Sequence, residues 1–393
     1  MPVLGLHRNV IVSQVVPQQW NFNAPVNVIT LERGANGLAT GKLYVGGSFT
    51  RYNGTAVNPI VRLNPNGTID TSFNTGREFG GLVATIVPVS GSTSIYVGGF
   101  FAQYSGSNAS SVARINSNGT LDTTFNPGTL TVPQLGVTSI ALESGSSRLY
   151  IGGDFTAYSG SSRNRIVRVN SNGTLDNTFN IGLGAYHSVA NTPNAVLGIL
   201  PVTQSAGEVY IVGSFNFYSG SGVNGIARIN SNGTLVGTSS FNPGVGNATG
   251  FNSAARVIRQ ASNSTAIYVG GNFSTYSGSN VTRVVRINAN GTRDTSFNPG
   301  TGFNIGTSIY SIADTLDGSG DIYVGGKFTS YSGSSTNNIV RLRTNGTISG
   351  SFGIGFNADV FTIASTSSRE VYMGGNFTAY KGNTYNYIIK LTS

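Results

Sequence analysis

The 393-residue chain carries 23 basic and 14 acidic side chains, a formal net charge of +9, yet only 9% of its residues are charged, against roughly 25% in ordinary soluble domains. It has 55 glycines, 18 tyrosines, 21 phenylalanines and no cysteine, which excludes disulfide and thiol chemistry and an aromatic-poor disordered chain. The glycines follow no three-residue period, so collagen is excluded, and the arginines form no basic stripe, so no nucleic-acid partner is expected.

Taken from the start, residues 1–19 hold a short apolar stretch at 9–17. They lack the charged region, sustained apolar core and small-residue cleavage site of a signal peptide. No stretch along the chain reaches 18 apolar residues, so no membrane insertion is expected. A repeat then begins. Its first copy runs Leu43, Tyr44, Val45, Gly46, Gly47, Ser48, Phe49, then Tyr52 and Gly54. The leading tyrosine recurs at Tyr96, Tyr150, Tyr210, Tyr268, Tyr323 and Tyr372, at intervals of 49 to 60 residues.

A second signature follows in the first six copies, as in Ile166-Val167-Arg168-Val169-Asn170, then Asn172-Gly173-Thr174 and Phe179-Asn180. Its arginines are Arg62, Arg114, Arg168, Arg228, Arg286 and Arg341. Asn-Gly between short apolar runs predicts a hairpin, because both residues tolerate the positive φ of a type I′ turn. Each unit therefore offers four short strands, placed in the third at Val137–Leu142, 148–155, 165–170 and 174–179. No unit carries a helical period of 3.6. Four strands per 49–60 residues predict an all-β chain, a seven-bladed β-propeller with four-stranded blades.

The seventh copy stops after Ile388-Ile389-Lys390-Leu391, where the Asn-Gly turn should follow. Trp20-Asn21-Phe22-Asn23 resembles the missing Phe-Asn end. Residues 1–24 are thus expected to complete the last blade and close the ring, removing two sheet edges and making 1–393 one domain.

The segments Tyr96–Gly106 with Ala113–Asn126 and Tyr268–Gly278 with Val285–Asn298 carry the pattern YVGGxFTxYxG, then IxRLNxNGTxDxxFN. This resembles the delta-60 repeat family, a β-propeller domain of unknown function. The resemblance implies a bacterial surface or secreted protein, or a phage structural one, and it carries over no catalytic residues. Val212, in place of the first glycine, and Val236 and Ser349, in place of the motif aspartate, depart from it.

Phe49, Phe101, Phe155, Phe215, Phe273, Phe328 and Phe377 are expected to pack between blades; the alternative is a set of aromatic sugar-stacking sites. Arg62, Arg114, Arg168 and Arg286 stand eight residues before Asp70, Asp122, Asp176 and Asp294, a separation that suits cross-strand ion pairs. Arg228 and Arg341 lack the aspartate and should turn to backbone carbonyls or a neighbouring blade. The alternative for this column is an anion-binding ring. Gly pairs such as Gly98-Gly99 and Gly325-Gly326 lack the Lys-Ser/Thr and helix of a phosphate loop.

Chemistry is thinly represented. The histidines are His7 and His187 only, too few for a metal cluster. Asp314, Asp317 and Asp321 lie in a Gly/Ser-rich turn without the pattern of an EF-hand. No nucleophile elbow is present, so no catalytic residue, metal or cofactor is expected. Asn-Gly-Thr reads as turn chemistry rather than as a glycosylation signal.

These readings lead to a non-enzymatic structural or accessory component of a phage virion, in capsid or tail, assembled in the host cytoplasm. Its partners would be other structural proteins or a host surface. The alternatives are a glycan-binding or bacterial surface adhesion propeller, extracellular or on the cell surface, and behind them a propeller hydrolase or lyase. Contact is expected in the loops least dictated by the repeat, 131–137, 183–194, 245–253 and 301–307, with Tyr186 and His187 as the preferred residues.

Overall fold

The computed structural model describes residues 20–392 except 35, 77–78, 90, 190–193, 245–248, 305, 351 and 367–368. His7, the 9–17 stretch and residues 1–19 of the expected closing segment lie outside the described residues. Among the described residues every regular element is a β-strand.

The third repeat shows the recurring unit. Val137–Leu142 pairs antiparallel with Leu149–Gly153, which pairs antiparallel with Ile166–Val169. The same first-second-third order returns in Val26–Arg33, Ala39–Gly47 and Ile60–Leu63, and again in Val360–Ser365, Glu370–Gly375 and Ile388–Thr392. The second strand is buried along its length, because sheets cover both of its faces. Its glycine pair answers that crowding. A Cβ on Gly152 would meet Val196 and Ile199 of the next sheet at 2.7 and 2.9 Å, and one on Gly153 would collide with the Gly136 carbonyl.

The expected fourth strand is reduced in most repeats to a single bridge, such as Val169 with Leu175. In the fourth repeat, where Val236 replaces the aspartate, Ile229 and Leu235 make the same single bridge; in the third the curl runs through Asp176. Its Oδ1 accepts from the Thr178 N–H at 3.0 Å and its carbonyl from the Phe179 N–H at 3.2 Å, so the chain curls away from the sheet. In the sixth repeat Ser349 replaces the aspartate, and Ile348–Gly350 pairs as a true fourth strand.

The Asn-Gly turn also differs from the type I′ expectation. Only Gly173 takes positive φ, at 86°. The Gly173 N–H donates to the Asn170 carbonyl and the Asn170 N–H to the Thr174 carbonyl, both at 2.9 Å, the three-residue loop of a type I turn with a glycine bulge. Asn172 serves through its side chain, which accepts from Thr174 N–H and Oγ1 at 3.1 and 2.7 Å. The type I′ geometry sits instead at Ser159-Gly160, with φ of 46° and 75°, joining Ala157–Tyr158 to Ser161–Ser162.

The core lies between successive sheets. One cluster joins Tyr150 and Ile166 of the third repeat to Val196, Ile211, Phe215 and Tyr218 of the fourth. Along the chain each first strand packs against the next, and Val26–Arg33 packs against both Gly80–Pro88 and Val360–Ser365. The Ile29 N–H donates to Thr362 Oγ1 at 3.2 Å.

Candidate functional site

The arginine column is a network of struts. Arg62, Arg114, Arg168 and Arg286 each place Nε 2.7 Å from the aspartate eight residues on. Three of the four also cross to the following repeat: NH1 donates to the carbonyl of Ser117 from Arg62 (2.8 Å), of Ser171 from Arg114 (2.6 Å) and of Thr344 from Arg286 (2.7 Å). Arg168, only 2% exposed, meets Glu143 at 3.2 Å instead, while Tyr150 crosses to the Gly207 carbonyl at 2.6 Å. Burial pushes the Tyr150 hydroxyl up to about 12, so it stays protonated and donates. With their donors turned inward, these guanidinia do not compose an anion-binding ring.

Arg228 and Arg341 do not rely on carbonyls alone. Arg228 pairs with Glu208 at 2.8 Å, and Arg341 with Asp321 and Asp317 at 2.9 and 2.7 Å. Glu208 and Asp321 both stand two residues before the repeat tyrosine, so the acid has moved from the curl after the turn to the residue that leads into the second strand. In the seventh repeat Lys390 faces Tyr372 in the arginine position and pairs with Glu370 of that same column at 2.6 Å. Where the motif aspartate is kept, the column can carry a cation: Lys42 pairs with Asp70 and Arg148 with Asp176. Sequence reasoning missed this column, although its change of sign with the loss of the aspartate was the available signal.

All seven repeat phenylalanines are buried, from Phe49 at 0% exposure to Phe101 at 5%, which leaves none of them open for sugar stacking. A further column went unread. Phe22, Phe79, Phe251, Phe303 and Phe356 press onto the Phe and Tyr of their own repeats with ring centroids 4.1–5.2 Å apart. Leu130 and Ala185 pair with the same tyrosine position. Tyr44 meets Phe73 and Tyr323 meets Phe352 edge-on, and Tyr372 meets Trp20 at 5.5 Å. Trp20 thus contacts the repeat tyrosine that, among the described residues, has no phenylalanine partner of its own, in a tilted rather than edge-on pair. Phe22 bridges Tyr52 of the first repeat, while its N–H donates to the Asn386 carbonyl at 3.4 Å.

The four variable loops occupy equivalent places, each joining the end of one repeat to the first strand of the next. Parts of three of them (190–193, 245–248 and 305) lie outside the described residues. In the second, Ala185–Tyr186 pairs with Phe217–Tyr218, and the Tyr186 ring stacks on Phe217 at 5.3 Å and 13°. His187 lines a cleft of about 570 Å³ between the fourth and fifth repeats. Its Nδ1 accepts from the Val189 N–H at 3.2 Å, leaving Nε2 to carry the ring proton. Tyr186 and His187 are thus adjacent and half-exposed, but only His187 faces the cleft, while Tyr186 covers Phe217.

Asp314, Asp317 and Asp321 do not converge on a point: Asp314 pairs with Arg259 at 2.5 Å, the other two with Arg341. Among the described residues no group of three or more His, Asp or Glu is placed to hold a metal ion.

A β-propeller family described as domain of unknown function DUF5122 matches residues 38–73, 94–125, 147–179, 204–235, 267–297 and 318–352, together just over half of the sequence. The chain belongs to this family. Each DUF5122 match runs through the arginine column and the turn described above, and all but 204–235, where Val212 stands in place of the first glycine, through a glycine pair. A search of curated proteins finds no match. Among solved structures, the chain is similar to the WD40 β-propeller domain of Doa1, with 12% identity, a TM-score of 0.55 and 97% of each chain covered. It is similar to U3-55K, with 9% identity, a TM-score of 0.56, and 94% of this chain and 96% of that one covered. It also resembles the extracellular domain of a putative hybrid two-component system from B. thetaiotaomicron, with 14% identity and a TM-score of 0.53; there 95% of this chain covers 39% of that one. At these identities the likeness establishes the propeller fold and nothing further.

Proposed function

We propose that this DUF5122 propeller is a seven-bladed closed ring of the delta-60 repeat kind, with the segment ending at Trp20–Asn23 completing the last blade. The contacts of Trp20 with Tyr372, of Phe22 and Asn21 with Asn386, and of Ile29 with Thr362 support that closure. On this frame the protein acts without catalysis, as a structural or accessory part of a virion, in its capsid or tail, contacting neighbouring proteins or a host surface. The observation that carries the reading is the inward use of charge: the arginine column is spent on struts within and between sheets, leaving a surface rich in amides and hydroxyls with scattered basic side chains such as Arg33, Arg51, Lys327 and Lys381. Because those struts replace disulfides, such a part can assemble in a reducing host cytoplasm and remain folded outside it. Cryo-electron microscopy of purified particles from the source tests this. Density for a propeller of this size on the particle supports the reading; its absence from particles, with the chain found on a bacterial surface instead, overturns it.

A further inference from the structure

In every repeat one residue directly precedes the third strand, and in three of them, Arg165, Arg283 and Asn338, its side chain reaches the start of the following repeat. Apart from Pro59 in the first, these residues share a left-handed backbone: Ser111, Arg165, Gly225, Arg283, Asn338 and Tyr387, with φ between 63° and 77°. Arg165 fills the gap between the third and fourth repeats, its Nε donating to the Asn194 carbonyl at 3.0 Å and its NH1 to the Phe155 carbonyl at 3.2 Å. Arg283 fills the gap between the fifth and sixth in the same way, reaching Thr307 Oγ1 at 3.3 Å and the Asn272 carbonyl at 2.5 Å. Asn338 Nδ2 donates to the Phe356 carbonyl at 2.9 Å.

Gly225 alone supplies no side chain. The cleft of about 570 Å³ lies beside it, with Ser253 standing where Asn194 and Thr307 meet their arginines. The cleft is thus a gap that Arg165, Arg283 and Asn338 plug in their own repeats and that Gly225 leaves open.

Its lining is polar and carries no Lys, Arg, Asp or Glu. His187, Ser214, Asn216, Asn224, Asn252 and Ser253 surround the opening, above the buried rings of Phe215 and Phe251. Ser214 Oγ accepts from the Ala195 N–H at 3.0 Å and keeps its own proton to donate. The Asn224 amide gives one N–H to the Thr249 carbonyl at 2.9 Å, which leaves its oxygen and second N–H for a ligand. A phosphate, carboxylate or ammonium ligand would enter without a counter-charge, at a desolvation penalty. Asn216 and Asn252 are braced by Ser188 and by Ser274 and Thr275, and an apolar ligand would strand the Ser214 hydroxyl and the Asn224 amide. Groups that both donate and accept, in a volume within the usual range of ligand clefts, match vicinal hydroxyls.

We propose that this cleft binds a neutral carbohydrate of one to three sugar units. The inference goes beyond the virion reading and does not depend on it. The test uses the full chain, with saturation-transfer NMR and calorimetry against glucose, galactose, N-acetylglucosamine, maltose, lactose and cellobiose, and with glucose 6-phosphate and glucuronate as charged probes. Saturable binding of at least one neutral sugar is expected. Gly225→Arg, which copies the side chain that two sister repeats hold on the same backbone, should lower affinity at least tenfold with an unchanged circular dichroism spectrum. His187→Ala and Ser253→Val should each weaken binding severalfold, and they decide the matter if Gly225→Arg does not fold. The proposal is overturned if the folded chain binds no neutral sugar, if only the charged probes bind, or if the variants bind like the parent. A chain that decorates its particle yet binds no sugar overturns this inference and leaves the virion reading standing.

Discussion

The Tyr52 hydroxyl donates to the Gly67 carbonyl at 2.7 Å, fastening the outer hairpin of the first repeat to its Asn-Gly turn. The same bond joins Tyr104 to Gly119, Tyr158 to Gly173, Tyr218 to Gly233, Tyr276 to Gly291 and Tyr331 to Gly346, at 2.5–2.7 Å. For Tyr380, in the same position of the seventh repeat, no such turn stands among the described residues, and among them its buried hydroxyl has no hydrogen-bond partner. Tyr158→Phe should therefore lower stability by about 1–2 kcal/mol, the cost of leaving a buried acceptor unmet. Tyr380→Phe should leave stability unchanged or raise it. Urea denaturation of the two variants checks the contrast, and equal losses would contradict it.

The relocated acid makes a rescue experiment possible. Glu208→Gln removes the carboxylate facing Arg228 and should cost about 1.5–3 kcal/mol, the range for hydrogen bonds to charged groups. Val236 takes the place of the motif aspartate, and its N–H donates to the Arg228 carbonyl at 2.9 Å, as that of Asp176 does to Arg168 at 3.0 Å. Adding Val236→Asp to Glu208→Gln should then recover at least half of the loss in a denaturant titration. An additive second loss would show that the two positions are not interchangeable.

Acid should unfold the protein through the same network. Burial by itself would raise the Asp122, Asp176 and Asp294 carboxyls, but the Ser/Thr hydrogen bonds and the arginines beside them outweigh it and hold all three below the ordinary carboxylate range. A carboxylate depressed in the folded state contributes stability that is fully present above its unfolded value, about 3.9, and is lost as pH falls through the folded one. The denaturation midpoint should be flat, as far as these groups set it, from neutral pH down to about 5 and fall steeply below 4. A midpoint that declines between pH 7 and 5 would point to other groups.

Trp20 carries the last prediction. It is 4% exposed and shares a cluster with Tyr372 and Ile388 across the two ends of the chain. Trp20→Ala should cost about 3–5 kcal/mol. The loss should appear in one cooperative transition rather than as local fraying, with fluorescence-independent circular dichroism as the probe. A small loss confined to residues near the N-terminus by hydrogen exchange would speak against its role in closure.

The sequence made the propeller legible because each repeat must satisfy the same neighbours, so Phe, Tyr, Gly and Arg recur at fixed spacing. The eight-residue Arg–Asp separation could be read as a contact for the same reason. What stayed hidden depended on exceptions. The fourth strand was overcounted because local backbone hydrogen bonds after the turn, such as Phe179 N–H to Asp176 and Phe241 N–H to Gly237, compete with the ladder. The acids Glu208 and Asp321 went unread because they replace a partner from another strand. The cleft at Gly225 was invisible because it arises from one absent side chain, and a single glycine among 55 carries no signal until its sister positions are aligned in space.

The doubled acids suggest how such a chain drifts without losing its fold. Arg62 touches both Glu32 and Asp70, and Arg168 both Glu143 and Asp176. A repeat that already holds a spare carboxylate can lose either one and never pass through a stage with a bare guanidinium in its interior. The fourth and sixth repeats, which have given up the motif aspartate, keep their arginines paired from yet another position, through Glu208 and Asp321. Redundancy of partners within each repeat thus sets how fast the repeats can diverge from one another, and so how soon one of them is free to become a site.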